Sequence, residues 1–357
     1  MLEALVGEPA LALDTESDSL YRYFYKVCLV QVSIASTDYL VDPLRLPDIS
    51  GLNDLLADPS IEKVFHAAEN DVVVLKRDFG FSFAHIFDTM VAARILGLPR
   101  VSLAALLEEN FAVKLDKRAQ LTDWGRRPLT AEQLSYARLD THYLMPLRDL
   151  LADQLQARRR WREASEAFVA LPDLVPVDRP WDPEGFWRNR EARSLGPQEL
   201  AVLRELYLWR DGQARALDLP AFKVVDDRVL IQLSRNQPRE LRYLGLSPWQ
   251  ARRFGAQVLE AIARGRTAVP PTFPARSHND GHRPDPAAVE RYDRLRAWRT
   301  ERAAERGVAS DVVLTNEVLM AVARAAPASI EELADLGVLG AFKLEEYGEE
   351  LVRAMKA

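Results

Sequence analysis

Residues 11–16 read Leu11-Ala-Leu-Asp14-Thr15-Glu16, a short apolar strand that ends on two acids. Side chains alternate along a strand, so Asp14 and Glu16, two apart, share a face. Working outward, a second strand is expected at Lys63-Val-Phe-His-Ala67, followed by Asn70-Asp71 at a strand-to-helix junction. A third acidic stretch, Tyr136-Ala-Arg-Leu-Asp140, has its two polar ends four apart, neighbours on one face of a helix. Around these lie Lys26 to Ala35, rich in Val, Leu and Ile as a central strand should be, and Asp38 to Asp42, a further strand. Pro43, Pro47 and Gly51 break the pattern before a helical Leu52 to Leu56. A helix starts at Asp71 and runs to Arg77, and Ile86 to Thr89 reads as a fifth strand or a helix entry. Helices follow at Thr89 to Leu96, Ser102 to Asn110, and Thr130 to Leu151, the last opened by the capping-box pattern Thr130-x-x-Gln133. Strands first, then helices, with early interleaving, predict a mixed α/β domain.

The chain has 357 residues, more than one ordinary core accommodates, so two or three domains are expected. Hydrophobic residues make up 48% and charged ones 28%, a globular balance with no disorder signature. Cys28 is the single cysteine, in the apolar run Val27-Cys-Leu-Val30. It excludes a disulfide within one chain, suits a reducing cytoplasm and reads as a buried, inert thiol. No secretory signal is evident, and no apolar run approaches the ~18–20 residues of a membrane span.

The net charge of −6 is unevenly spread. Residues 1–150 carry 15 Lys+Arg against 22 Asp+Glu, which would repel phosphates unless cations sat on the acids. The remainder is nearly balanced but has basic clusters: Arg158 to Arg162, Arg188 to Arg190, Arg235 to Arg242, and Arg252-Arg253. These read either as solvated helix faces or as nucleic-acid contacts.

Proline clusters mark linkers at Pro172, Pro176, Pro180 and Pro183, and again from Pro270 to Pro286. The segments after them resemble each other at a shift of 89 positions, which pairs Leu206 with Leu295, Trp209-Arg210 with Trp298-Arg299, Arg235 with Arg324, and Pro238 with Pro327. Two related helical domains are expected.

Phosphodiester hydrolysis needs a nucleophilic water, neutralised phosphate charge and a stabilised leaving oxygen. Two divalent cations about 3.5–4 Å apart meet all three needs. Mg²⁺ and Mn²⁺ prefer carboxylate oxygen. Asp14 can bridge two such ions, while Glu16, Asp71 and Asp140 complete the set. Tyr136, with an ordinary pKa near ~10, is a poor base and instead orients the attacking water. Taken singly, Asp14 is also readable as a turn residue, Asp71 as a helix N-terminal acid, and Tyr136 with Asp140 as a solvent-facing pair.

In this order the motifs resemble the DEDDy branch of the 3′→5′ exonucleases, the ribonuclease D family. Asp14 and Glu16 match its first motif, Asp71 the second, and Tyr136 with Asp140 the third. The stretch Leu115 to Leu129 is also similar, and the tandem helical segments resemble HRDC domains. The resemblance implies an α/β plus all-α fold: a ribonuclease-H-like exonuclease domain at 1–165, a linker at 166–193, an HRDC domain at 194–268, a second linker at 269–284 and an HRDC-like domain at 285–357. It implies metal-dependent removal of nucleoside 5′-monophosphates from single-stranded RNA 3′ ends, tRNA precursors above all, with the HRDC modules helping to bind RNA.

Substrate contacts are expected from Thr15 through its backbone N–H, from His66, from Asn70 (alternatively an N-cap), and from Lys117, which lies with Arg118 and Trp124 in a polar loop. Tyr21 and Phe24 are candidate stacking platforms. Ser17 stands where many family members carry a bulky apolar residue. Asp18 and Glu69 are further acids that leave the ligand set open at its edges. Gly307-Val-Ala309 replaces the Asp218-Leu-Pro220 of the first helical copy. A DNA exonuclease and a non-catalytic RNA-binding protein are the alternative functions, and a cytoplasmic monomer is expected.

Overall fold

Strands β1 (Ala10–Ser17), β2 (Val27–Ile34) and β3 (Thr37–Val41) form an antiparallel meander. Strands β4 (Glu62–Phe65) and β5 (Ile86–Asp88) join it in parallel, giving the order β3-β2-β1-β4-β5. The acid-bearing β1 is therefore the middle strand. The apolar β2 lies beside it and is buried along its whole length. The computed structural model describes residues 1–116, 118–176, 181–240, 245–272 and 285–356. These fall into two units, one from the described residues of 1–17, 27–176 and 282–357, the other from those of 18–26 and 177–281.

In the first unit α1 (Leu2–Leu5) precedes β1 and α2 (Gly51–Ala57) follows β3. Helix α3 (Glu69–Phe79) follows β4, and α4 (Thr89–Ile95) follows β5. Helices α5 (Leu103–Phe111), α6 (Ala131–His142), α7 (Leu144–Ala157) and α8 (Trp161–Val169) come next. Leu11, Leu13, Val64, Phe65, Val72, Leu75, Leu147 and Leu151 belong to one buried core that joins the sheet to these helices. The stretch 86–89 is both strand and helix entry: β5 ends on Asp88, whose carboxylate caps α4 by accepting from the amides of Met90 and Val91.

The expected capping box is formed, with Gln133 N donating to Thr130 Oγ1 at 3.2 Å and Thr130 N to Gln133 Oε1 at 3.0 Å. The single helix expected over 130–151 is two helices, broken at Tyr143 (φ −99°, ψ 1°). Pro146 accounts for the break: it has no N–H to offer, and its ring would clash with the carbonyl four residues back. Helix α8 runs on past residue 165 and packs Phe168 against Phe87, ring centroids 4.6 Å apart. Short 3₁₀ turns at Leu171–Asp173, Gly185–Arg188 and Arg190–Ser194 occupy much of the first expected linker. Pro180 and most of the second linker lie outside the described residues.

The second unit holds α9 (Pro197–Leu217), α10 (Ala221–Val224), α11 (Asp227–Asn236) and α12 (Pro248–Thr267). The first unit also holds α13 (Pro286–Arg306), α14 (Ser310–Val313), α15 (Asn316–Ala325), α16 (Ile330–Asp335) and α17 (Ala341–Lys356). Shifted by 89 positions, the bounds of α9, α10 and α11 are those of α13, α14 and α15. The paired arginines do the same work in each copy. Buried Arg210 donates to the Val225 carbonyl (2.9 Å) and Asp227 (2.6 Å), and Arg299 to the Leu314 carbonyl (2.8 Å) and Asn316 (2.9 Å). The residue after each long helix is left-handed, Asp218 at φ 48° and Gly307 at φ 63°.

Candidate active site

On β1, Asp14 faces Gln31 and Glu16 faces Leu29 across the antiparallel pair, and the register slips between Glu16 and Ser17. Helix α6 lies over this face, held by the hydroxyls of Thr141 and Ser33 at 2.6 Å, and it brings Tyr136 and Asp140 toward β1. One carboxylate oxygen from each of Asp14, Glu16 and Asp140 lies within 4.8 Å of the others. Asp71 enters from the first turn of α3, and Thr15 Oγ1 donates to its Oδ1 at 2.5 Å. The turn carrying Asp71 is shaped by Asp88, whose carboxylate accepts from the amides of Ala67 (3.1 Å) and Ala68 (2.7 Å), with Ala67 at φ 64°.

Asp14, Thr15, Glu16, His66, Asn70, Asp71, Tyr136 and Asp140 line one cavity of about 320 Å³. Lys117 lies outside the described residues. Asn70 is not the helix cap, since Ala68 holds that position; it sits in the first turn with its side chain at the cavity. Thr15 differs from expectation: its hydroxyl is taken by Asp71, and its amide holds down the Asp14 and Asp71 carboxyls.

Trp124 is not on a polar surface loop. It is 1% exposed and packs behind Tyr136, ring centroids 6.2 Å apart, because Arg127 folds the loop inward. Of the two alternative acids, Asp18 is fully buried and accepts from Lys26 N (2.8 Å) and Nζ (2.9 Å), while Glu69 is exposed. In the second unit the Tyr21 ring is covered by Lys223 Nζ at 3.5 Å, and Phe24 is exposed.

Crowding the acids has a clear electrostatic effect. Burial, then the charges of Asp71, Asp140 and Glu16, push the Asp14 carboxyl well above its usual range. Burial, then the charges of Asp140 and Asp71, raise Glu16 to about 9. Burial raises Asp71 and Asp140 to about 7, opposed by the Thr15 and Tyr136 hydroxyls respectively. Tyr136 is pushed up, by burial and by Asp140, so it remains a phenol. Asp140 Oδ2 is buried with no hydrogen-bond partner among the described residues. Converging hard oxygen donors, mutual repulsion and an orphaned carboxylate oxygen together fit divalent cations.

Asp88, Thr89 and Gln31 belong to this site's surroundings and were not singled out from sequence. Asp88 had a signal, an acid between an apolar strand and a helical pattern, which is an N-cap signature. Gln31 had only its oddness, a lone amide within the apolar run 27–34.

Residues 1–156 match the 3′→5′ exonuclease family, and residues 199–262 and 289–355 match the HRDC domain. Ribonuclease D of Granulibacter bethesdensis is 30% identical over 335 residues, 91% of this chain and 84% of that protein. The chain belongs to the ribonuclease D family. Ribonuclease D of Gluconacetobacter diazotrophicus is likewise 30% identical, over 98% of this chain and 88% of its own length. The crystal structure of Escherichia coli RNase D, "an exoribonuclease involved in structured RNA processing", superposes with a TM-score of 0.65 at 26% identity, covering 99% of this chain and 95% of that one. As a ribonuclease D family member the chain is a hydrolytic 3′→5′ exoribonuclease, with a ribonuclease-H-like exonuclease domain followed by HRDC domains. The readings as a DNA exonuclease and as a non-catalytic RNA-binding protein give way to it.

Proposed function

We propose that Asp14, Glu16, Asp71 and Asp140 hold two divalent cations, Mg²⁺ or Mn²⁺, and that this site trims single-stranded RNA 3′ ends to nucleoside 5′-monophosphates. The convergence of three carboxylates within 4.8 Å, with a fourth tied in through Thr15, carries this reading. When bound, such cations neutralise phosphodiester charge and make the attacking water more acidic. The chain's own residues orient the reactants. Tyr136, kept protonated by burial, directs its hydroxyl toward the attacking water and Asp140 and serves as a positioning donor, not a base. His66 and Asn70 contact the terminal nucleotide and Lys117 a phosphate, while Thr15 holds the Asp14 and Asp71 carboxylates in place. The HRDC domains add RNA affinity, and tRNA precursors are the substrates, in keeping with the structured-RNA role of the Escherichia coli protein. A buried Cys28 accords with a cytoplasmic monomer.

The test uses 3′-labelled and 5′-labelled single-stranded RNA, beside DNA equivalents, in Mg²⁺, Mn²⁺ and EDTA. Immediate mononucleotide release from the 3′ label, abolished by EDTA, is expected. Asp140→Asn should lower kcat at least about 100-fold while RNA binding, measured by filter retention, persists. Internal fragments, or full activity in Asp140→Asn, would overturn the proposal.

A further inference from the structure

Thr89 is fully buried, and its hydroxyl carries one proton. It donates that proton to the Phe65 carbonyl at 3.0 Å. Toward His66 Nδ1, 2.9 Å away, the same hydroxyl has only lone pairs to offer. Nδ1 is therefore the ring nitrogen that carries hydrogen. Burial pulls the His66 pKa down to about 4, so the ring is neutral at working pH. A neutral imidazole protonated at Nδ1 has a bare Nε2, an acceptor only. Nε2 has no partner among the described residues, and His66 lines the same cavity as Asp14, Glu16, Asp71 and Tyr136.

An acceptor fixed in this way selects a donor on the ligand. A phosphodiester has no donor. The bases have donors, but they differ in position from base to base. The donors common to every ribonucleotide are the sugar hydroxyls. We infer that His66 Nε2 accepts a hydrogen bond from a hydroxyl of the 3′-terminal ribose, with Thr89 holding the ring in the tautomer that can do so. This rests on the proposed function, in which the terminal nucleotide occupies this cavity. His66 is then a specificity-determining residue and Thr89 a positioning residue.

Four RNA oligomers that differ only in the last sugar test the inference: ribose, 2′-deoxy, 3′-deoxy and 2′,3′-dideoxy. The readout is kcat/KM for release of the first nucleotide. The wild type is expected to lose about five- to ten-fold when the hydroxyl read by His66 is removed, and the 2′ and 3′ arms identify which it is. His66→Ala should cut the oligomers more slowly but abolish that preference. Thr89→Val, which keeps shape and ring but frees the tautomer, should weaken it. A merely structural role would slow all four oligomers alike, so an unchanged preference in His66→Ala overturns the inference, as does a wild type indifferent to both hydroxyls. Ring-¹⁵N NMR of the wild type reads the tautomer without activity, and hydrogen on Nε2 would also overturn it. Hydrolysis that survives in Asp14→Asn would sink the parent reading as well, by a separate route.

Discussion

Thr15 sits between two acids and reaches a third, so its hydroxyl ties the Asp71 carboxylate to β1. Around it the carboxyls are held above their usual range, Asp71 and Asp140 near 7 and Glu16 near 9. A raised folded pKa means that the folded protein keeps protons the unfolded chain has lost. The stability these groups contribute is complete below about pH 4 and disappears as pH rises through the folded values. In EDTA the melting temperature should therefore fall as pH is raised from about 6 to about 9. Excess Mg²⁺ should reverse most of that fall, and Asp71→Asn should flatten it; a pH-independent melting curve in EDTA would refute this. At this scale Asp14, Glu16, Tyr136 and Asp140 were legible because two-residue and four-residue spacings are local geometry. The His66–Thr89 pair was not, because it joins residues 23 apart that only the parallel pairing of β4 and β5 brings together.

At the scale of elements, the stretch 115–129 looks polar and loop-like, yet its inner end is a clamp. Arg127 grips Asp42 with two hydrogen bonds (2.6 and 2.8 Å) and donates to the carbonyls of Cys28 (2.8 Å) and Trp124 (2.6 Å). It thereby fixes Trp124 behind Tyr136. Arg127 is largely buried and Asp42 less so, which trims the value of the pair for solvent screening. Arg127→Ala should still cost about 2–3 kcal/mol in urea unfolding, and Arg127→Lys should recover only part of it, since an ammonium lacks the planar fork. A loss below about 0.5 kcal/mol would show the clamp to be idle. Charge patterns reveal that an arginine is present but not whom it faces, and for that reason this loop was misread. The break before α7 was legible in principle from Pro146, but the capping box at Thr130 and the leucines beyond Pro146 read as one continuous helix.

At the scale of the molecule, three of the four arginines in the basic run 158–162 are spent on internal contacts. Arg158 donates to the Leu96 carbonyl (2.9 Å), Arg160 to those of Ile95 (2.6 Å) and Arg306 (2.7 Å), and Arg162 pairs with Glu345 (2.6 Å). Beside them Glu163, 2% exposed, pairs with Arg306, and Glu166 accepts from the Phe342 amide at 2.6 Å. These bonds join α8 to the second HRDC domain within the first unit. Glu163→Ala leaves Arg306 without its counter-charge and should cost about 3–5 kcal/mol, lowering the calorimetric melting temperature or splitting the transition in two. A single transition at the wild-type temperature would contradict it. The tandem helical copies were legible because a repeat announces itself by register; the acidic partners in α8 that dock the second copy were not.

The 89-residue register has a consequence for engineering and for descent. A duplicated module has kept its skeleton and rewritten one corner. In one copy Asp218 accepts the amides of Tyr23 (3.1 Å) and Phe24 (3.0 Å). In the other, the Gly307 carbonyl sits so close to Gly97 that only the absence of a side chain at 97 avoids a collision with it. Merging the two copies into a consensus, a common route to a stabler module, would erase the residues by which each descendant recognises its neighbour.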